Sequence, residues 1–292
     1  MFHGSIVAII TPMKANGELD EARLRQLIEM HIEAGTNGIV ACGTTGEAPT
    51  LTAAETDQVI RIAVETVKGR IPVIAGTGTY STRETIERTK DAMHLGVDAC
   101  LIVMPYYNRP TQEGLYQHCQ AIAVDVPLPL ILYNVPKRTG CDLLPETIQR
   151  LAEVSNIVGL KESTGDLARA KEILALCGDK LDLFTGEDAN ALAFILQGGK
   201  GAISVTANVA PKLMHEMCTA ALAKDFRLAG ELNTRLMPLH KNLGIESNPI
   251  PVKWALQQLG LVESGIRLPL TPLSEQYHEL VKEAMKISGV IT

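Results

Sequence analysis

Eight short apolar runs alternate with stretches of helical pattern along the first 225 residues, and this alternation limits the possible folds most strongly. Apolar strands that are each followed by a helix are typical of a parallel sheet covered by helices. Eight such units predict a closed (β/α)8 TIM barrel, and an open doubly wound sheet is the alternative. The runs are SIVAII (5–10), GIVAC (38–42), IPVIAG (71–76), ACLIVM (99–104), LPLILY (128–133), NIVGLK (156–161), LDLFTG (181–186) and GAISV (201–205).

The segments between the runs contain signals for helix starts and ends. Thr52 and Ser81 each precede a glutamate by three residues, at Glu55 and Glu84, which is the spacing of a capping box. Gly96 follows the second segment at the position where a glycine commonly ends a helix. These signals predict helices that begin at residues 52 and 81.

The last part of the sequence differs from the rest, because helical patterns continue there without a clear strand. We therefore expect a barrel domain over residues 1–225 and, over residues 226–292, additional C-terminal helices packed on the barrel or forming a partner interface.

Composition and charge exclude several classes of protein. The formal net charge is −6 and Lys and Arg are not clustered, which argues against a nucleic-acid partner. No apolar run approaches the about 20 residues of a membrane span, and the N-terminal run lacks the basic region of a signal peptide. The six cysteines are scattered without C-x-x-C spacing, so we expect a cytoplasmic protein with reduced thiols.

In a TIM barrel the active site lies at the carboxyl ends of the strands. No histidine closely follows a run and no His/Cys/Asp/Glu set has metal-ligand spacing, so we expect no metal and no other cofactor. The GTG segment also lacks the third glycine of a dinucleotide-binding fingerprint. The segments that follow the runs are TPM (11–13), GTTGE (43–47), GTG (76–78), PYYN (105–108), YNVPKRTG (133–140), KEST (161–164), GED (186–188) and SVTAN (204–208).

Lys161 is the most informative residue among these segments. Strand alternation places it on one face with Ile157 and Gly159. If this face points into the barrel, the amine lies in the mouth among apolar walls, where it can act as a nucleophile on a carbonyl carbon. A lysine that reaches solvent or pairs with Glu162 is an equally good interpretation of its position.

Three tyrosines and an arginine follow strands at the same edge. Tyr133 shares a strand face with Ile131, and a phenol there could transfer protons or simply cap the core. Tyr106 and Tyr107 add phenols after the neighbouring run. The guanidinium of Arg138 could bind a carboxylate, or the residue could be an exposed loop arginine.

The segments GTTGE (43–47), YNVPKRTG (133–140) and GLKEST (159–164) together resemble the pyruvate-dependent class I aldolase/lyase family, and the resemblance runs essentially end to end. It implies a TIM barrel in which Lys161 forms a Schiff base with pyruvate. It also implies a proton relay of catalytic side chains, with its last member reaching into the neighbouring subunit's site: Tyr133, Thr44 and Tyr107.

The same resemblance implies the substrate contacts. The hydroxyl and backbone amide of Thr45 would hold the carboxylate of pyruvate, and Arg138 would bind that of aspartate semialdehyde. The carbonyl of Ile203 would face the lysine, and Gly186 would line the pocket. The product would be the cyclic precursor on the route to diaminopimelate and lysine. The assembly would be a homotetramer, a dimer of dimers.

Two alternative functions stay open. An N-acetylneuraminate lyase or a keto-deoxy-sugar aldolase would share the lysine, the tyrosine and the GTTGE-type turn, but Arg138 and Tyr107 favour the charged aldehyde. A non-catalytic barrel that serves as a scaffold or sensor predicts loss of Lys161 or Tyr133, and both are present.

A possible allosteric lysine site is where the sequence departs from the family. In lysine-sensitive members the inhibitor binds at the dimer interface. Glu84 and Tyr106 fit that pattern. The polar or imidazole groups often found at four other positions are replaced by Ala48, Ala53, Thr56 and Tyr80. Because lost hydrogen bonds weaken binding of a charged ligand, we expect weak or absent lysine inhibition. The positions concerned are Ala48, Pro49, Ala53, Thr56, Tyr80, Glu84 and Tyr106.

Overall fold

A closed parallel barrel forms the centre of the molecule. The computed structural model describes residues 2–292, and in this range eight strands hydrogen-bond in chain order until β8 pairs with β1. The predicted TIM barrel is therefore confirmed and the open doubly wound sheet is excluded. The strands are β1 (Gly4–Ala8), β2 (Gly38–Ala41), β3 (Val73–Gly76), β4 (Ala99–Val103), β5 (Leu130–Asn134), β6 (Ile157–Glu162), β7 (Asp182–Thr185) and β8 (Gly201–Ser204).

Helices follow each strand and cover the outside of the barrel. After β8 and its helix (Pro211–Leu222), three further helices follow within the described residues, and the first of them (Phe226–Asn242) packs against both that helix and the last one (His278–Ile287). The helices are α1 (Glu21–Glu33), α2 (Ala53–Val67), α3 (Thr82–His94), α4 (Gln112–Asp125), α5 (Pro136–Thr139), α6 (Pro145–Leu151), α7 (Leu167–Cys177), α8 (Ala191–Leu196), α9 (Pro211–Leu222), α10 (Phe226–Asn242), α11 (Ile250–Gln258) and α12 (His278–Ile287).

The capping signals are only partly realised. Thr52 and Glu55 form the reciprocal capping box of α2, as predicted. At α3 the hydroxyl of Ser81 accepts from the amide of Glu84, but the Glu84 carboxylate accepts from Arg88 at 2.6 Å instead of returning to the cap. The i, i+4 arginine competes for this carboxylate, so the expected second box is half formed.

Two apolar layers result from the strand alternation. Side chains that point inward form a core inside the barrel, and those that point outward pack under the helices. The prediction for β6 is wrong at one position. Ile157 belongs to the outer layer, because the register shifts where β6 pairs with Leu130 and Ile131, so that Gly159 and Lys161 align with Ile131 and Tyr133.

Two further observations bear on the sequence predictions. All six cysteines are buried free thiols. Within residues 2–292, no helix is long and apolar enough to cross a membrane.

Candidate active site

Lys161 and Tyr133 lie side by side at the mouth of the barrel. Their strands are neighbours in register, and Lys161 Nζ lies 4.3 Å from the centroid of the Tyr133 ring. The two residues are 6% and 7% exposed, so the lysine does not reach solvent. Glu162 does not pair with the ammonium either, because its carboxylate accepts hydrogen bonds from the Asn134 side chain and from the Thr164 amide. Of the two interpretations, the structure supports the inward-facing amine.

Gly186 directly follows β7 and lies close to Lys161. A Cβ atom added there would lie 2.7 Å from Lys161 Cε and still closer to the Ser163 hydroxyl. Only a glycine therefore fits beside this conformation of the lysine. Ile203, on β8, is fully buried in the inner core. Ser163, which carried no predicted role, has a buried hydroxyl without a hydrogen-bond partner among residues 2–292.

The GTTGE loop ends β2 in an unusual backbone conformation. Cys42, just before the loop, and Glu47, its last residue, both adopt positive φ, at 54° and 56°. In the part of the chain that the structure describes, the amides of Thr44 and Thr45 donate to no protein acceptor. Thr45 is also buried, at 2% exposure. Adjacent N–H groups without protein partners are suited to bind an anion such as a carboxylate.

Contacts from a distant segment complete this loop, and the sequence patterns did not reveal them. Asn248 Nδ2 donates to the Thr45 hydroxyl at 2.9 Å, and the ammonium of Lys253 forms a buried ion pair with Glu47. Both residues lie in NPIPVKWAL (248–256), a segment to which the sequence patterns assigned no role.

The entrance to the site is charged. Arg138 is exposed on α5, and its guanidinium approaches the Asn248 carbonyl at 3.5 Å, the outer limit of a hydrogen bond. Burial raises the pKa of Glu187, while the positive charges of Lys137, Lys161 and Arg138 oppose that shift. An anionic substrate at this entrance would meet a guanidinium that is not held by a close carboxylate.

A cavity of about 470 Å³ lies beside Tyr133 at the barrel mouth. Thr44, Arg138 and Arg88 also line it. Most positions of the possible allosteric site also line it, but Ala53 and Thr56 do not. Those that do are Ala48, Pro49, Tyr80, Glu84 and Tyr106.

Two aromatic side chains form part of the wall of this cavity. The rings of Tyr80 and Tyr106 meet edge to face, with centroids 5.2 Å apart. Burial raises the pKa of the Tyr106 phenol. Tyr80 therefore occupies part of the region in which the sequence predicts a weakened lysine site.

Of the predicted catalytic residues, Lys161 does not line this cavity but lies against the Tyr133 ring, which does. Tyr107 does not line it either. It is 92% exposed with φ at 73°, and its amide donates to the Thr139 carbonyl at 3.2 Å. The expected role in a neighbouring subunit's site stays a prediction.

The described residues contain no group of three or more His, Cys, Asp or Glu side chains that could hold a metal ion. The mouth presents an amine, a phenol, hydroxyls and backbone amides.

Comparison with known proteins gives a consistent result. The model of the dihydrodipicolinate synthetase family matches residues 1–288. The 4-hydroxy-tetrahydrodipicolinate synthases of Nitrosococcus oceani and Thioalkalivibrio sulfidiphilus are 62% and 59% identical, covering 100% and 99% of both chains. The crystal structure of the chloride-inhibited dihydrodipicolinate synthase of Acinetobacter baumannii, complexed with pyruvate, superimposes with a TM-score of 0.99 at 56% identity, covering 100% of each chain.

Proposed function

The chain belongs to the dihydrodipicolinate synthetase family, and from this premise we propose which of its residues perform the family's reaction. The chain is a lyase of the class I aldolase type, a 4-hydroxy-tetrahydrodipicolinate synthase. It condenses pyruvate with L-aspartate semialdehyde, with net loss of one water, in the biosynthesis of diaminopimelate and lysine.

Lys161 is the nucleophile in this proposal. Its Nζ attacks the carbonyl carbon of pyruvate and water leaves, which gives an iminium bonded to the enzyme. The iminium withdraws electrons from the methyl carbon, so loss of a methyl proton gives an enamine without a metal ion. The single observation that supports this role best is the burial of Lys161 Nζ inside the barrel mouth, 4.3 Å from the Tyr133 ring.

Tyr133 and Thr44 are the proposed proton carriers. Both line the cavity beside the lysine, and hydroxyl groups can donate and accept in turn. Tyr107 of a neighbouring subunit completes the relay in the proposal, which the exposure of this side chain supports. A homotetramer arranged as a dimer of dimers would provide that neighbour.

Two carboxylate sites orient the substrates. The free amides and the hydroxyl of the Thr44–Thr45 turn would hold the pyruvate carboxylate, with Gly186 and the Ile203 carbonyl bordering the lysine. Arg138 would bind the carboxylate of aspartate semialdehyde. The enamine carbon then attacks the aldehyde, and the substrate's own amine displaces Lys161 as the ring closes.

Compartment and organisation are part of the proposal. Six buried free thiols support a reducing location such as the cytoplasm. The division into a barrel domain over 1–225 and a helical extension over 226–292 stays a prediction.

A competition between aldehydes tests the proposed substrate contacts. The wild-type protein is assayed with pyruvate and either aspartate semialdehyde or a polyhydroxylated sugar aldehyde, and kcat/KM is compared. We expect turnover of the semialdehyde and little or none of the sugar. Equal or greater kcat/KM for the sugar aldehyde would contradict the role of Arg138 and favour a sugar-acid aldolase.

A further inference from the structure

The backbone of Glu47 is held in a conformation that needs support. Its φ of 56° lies in the left-handed region, which glycine adopts freely and glutamate does not. Glu47 follows Thr45 by two residues, so a change in its backbone would move the amides that face the site.

The support comes from the far end of the chain. Lys253, on α11, pairs with one carboxylate oxygen of Glu47 and also donates to the Thr11 carbonyl at 3.1 Å. The backbone amide of Arg267 donates to the other oxygen at 3.1 Å. The Lys253 and Glu47 side chains are 5% and 0% exposed, so both charges are withdrawn from water.

Stability alone is a weak reason for such a pair. Because removing two charges from water is costly, well-packed apolar residues of similar size often stabilise a fold as well or better. An ion pair differs from an apolar contact in fixing direction and distance. Here two donors from two distant segments define where the Glu47 carboxylate lies.

A second contact of the same segment reaches the neighbouring residue. Asn248 Nδ2 donates to the Thr45 hydroxyl, five residues before Lys253. The segment 248–253 thus contacts the GTTGE loop at both Thr45 and Glu47.

We propose that Lys253 and Glu47 are positioning residues whose buried ion pair ties α11 to the GTTGE loop and holds the Thr44 and Thr45 amides where the pyruvate carboxylate binds. This inference rests on the proposed function, because it presupposes that pyruvate binds at this loop. Neither residue touches the reacting atoms.

The test measures how much pyruvate is needed for Schiff-base formation. Wild type, Lys253→Met and the double variant Glu47→Leu/Lys253→Met are incubated with increasing pyruvate and reduced with borohydride, and the trapped fraction is read by mass spectrometry. We expect the half-saturating concentration of the double variant to rise at least about tenfold, as for a misaligned hydrogen bond to an anion. The KM for aspartate semialdehyde should change less than about twofold.

Thermal unfolding distinguishes a positioning role of the ion pair from a contribution to stability. The double variant removes both charges, so its midpoint should lie closer to that of wild type than the midpoint of Lys253→Met does. Leu236→Ala is the matched control, because Leu236 is fully buried in α10 of the same C-terminal region. It should lower the unfolding midpoint and leave the half-saturating pyruvate concentration unchanged.

The outcomes are distinguishable. A folded double variant with the wild-type half-saturating concentration overturns the positioning role, as does an equal rise in Leu236→Ala. If the double variant does not fold, Glu47→Gln, which keeps the side chain's shape, takes its place in the same pyruvate titration, with the same outcomes. Failure to trap wild type itself contradicts the proposed function, and the inference falls with it.

Discussion

Substitution of Gly186 by alanine should disable Schiff-base formation without unfolding the protein. The added Cβ would lie 2.7 Å from Lys161 Cε, whereas non-bonded carbon atoms prefer about 3.5–4.0 Å. Lys161 Cε must therefore move by about 1 Å. The backbone of Gly186 is not in the left-handed region, so alanine itself introduces no φ strain.

The size of the effect follows from that displacement. A misplacement of about 1 Å at a reacting group can reduce a rate by about 100-fold. Overpacking of this kind costs about 1–3 kcal/mol of unfolding free energy, which a domain with about 5–15 kcal/mol tolerates. The Ser163 hydroxyl, which lies closer still, can rotate away and absorbs part of the clash.

The assay is the rate at which borohydride traps the adduct at saturating pyruvate. Gly230→Ala is the matched control, because a methyl group added there on α10 meets no atom within 4 Å. We expect a rate about 100-fold lower for Gly186→Ala and an unchanged rate for Gly230→Ala. A folded Gly186→Ala protein that is trapped within about threefold of the wild-type rate would refute the close fit between Gly186 and Lys161.

Three further predictions concern the second substrate, regulation and pH. Arg138→Ala should raise the KM for aspartate semialdehyde about 10- to 100-fold, because a charge-assisted hydrogen bond is lost. Trapping of pyruvate should be unchanged, and parallel losses for both substrates would contradict the prediction. Titration with lysine should inhibit weakly or not at all, and strong inhibition at sub-millimolar lysine would overturn the expectation drawn from Ala48, Thr56 and Tyr80. Burial lowers the pKa of His31 from 6.5 to about 3, so the unfolded chain binds a proton that the folded chain excludes, and stability falls as pH drops between these values. In urea unfolding, His31→Asn should reduce the slope of the unfolding free energy against pH by about 1.4 kcal/mol per pH unit. An unchanged slope would show that His31 is not responsible for this pH dependence.

Sequence periodicity was sufficient to predict the barrel, because strands buried on both faces leave a distinct apolar signature. It was not sufficient at β6. Ile157 follows the alternation but faces outward, since a register shift against β5 is set by the pairing partner and not by the strand itself. The half-formed box at Ser81 has a similar cause, because Arg88 competes for Glu84.

The candidate site was likewise only partly predictable from the sequence. Lys161, Tyr133 and Arg138 could be selected because each follows an apolar run, and strand ends of a barrel meet at one edge. The contacts of Asn248 and Lys253 could not be predicted, because these residues lie about 200 residues from the loop that they contact and no local sequence pattern marks the pairing. Only the folded chain brings these segments together.

The central claim is that Lys161 forms the covalent bond to pyruvate. The most direct measurement is borohydride reduction in the presence of pyruvate, followed by proteolysis and mass spectrometry of the peptides. The account predicts one adduct, on the peptide that contains Lys161, and none in Lys161→Ala. No adduct on wild type, or an adduct that persists in Lys161→Ala, would contradict it.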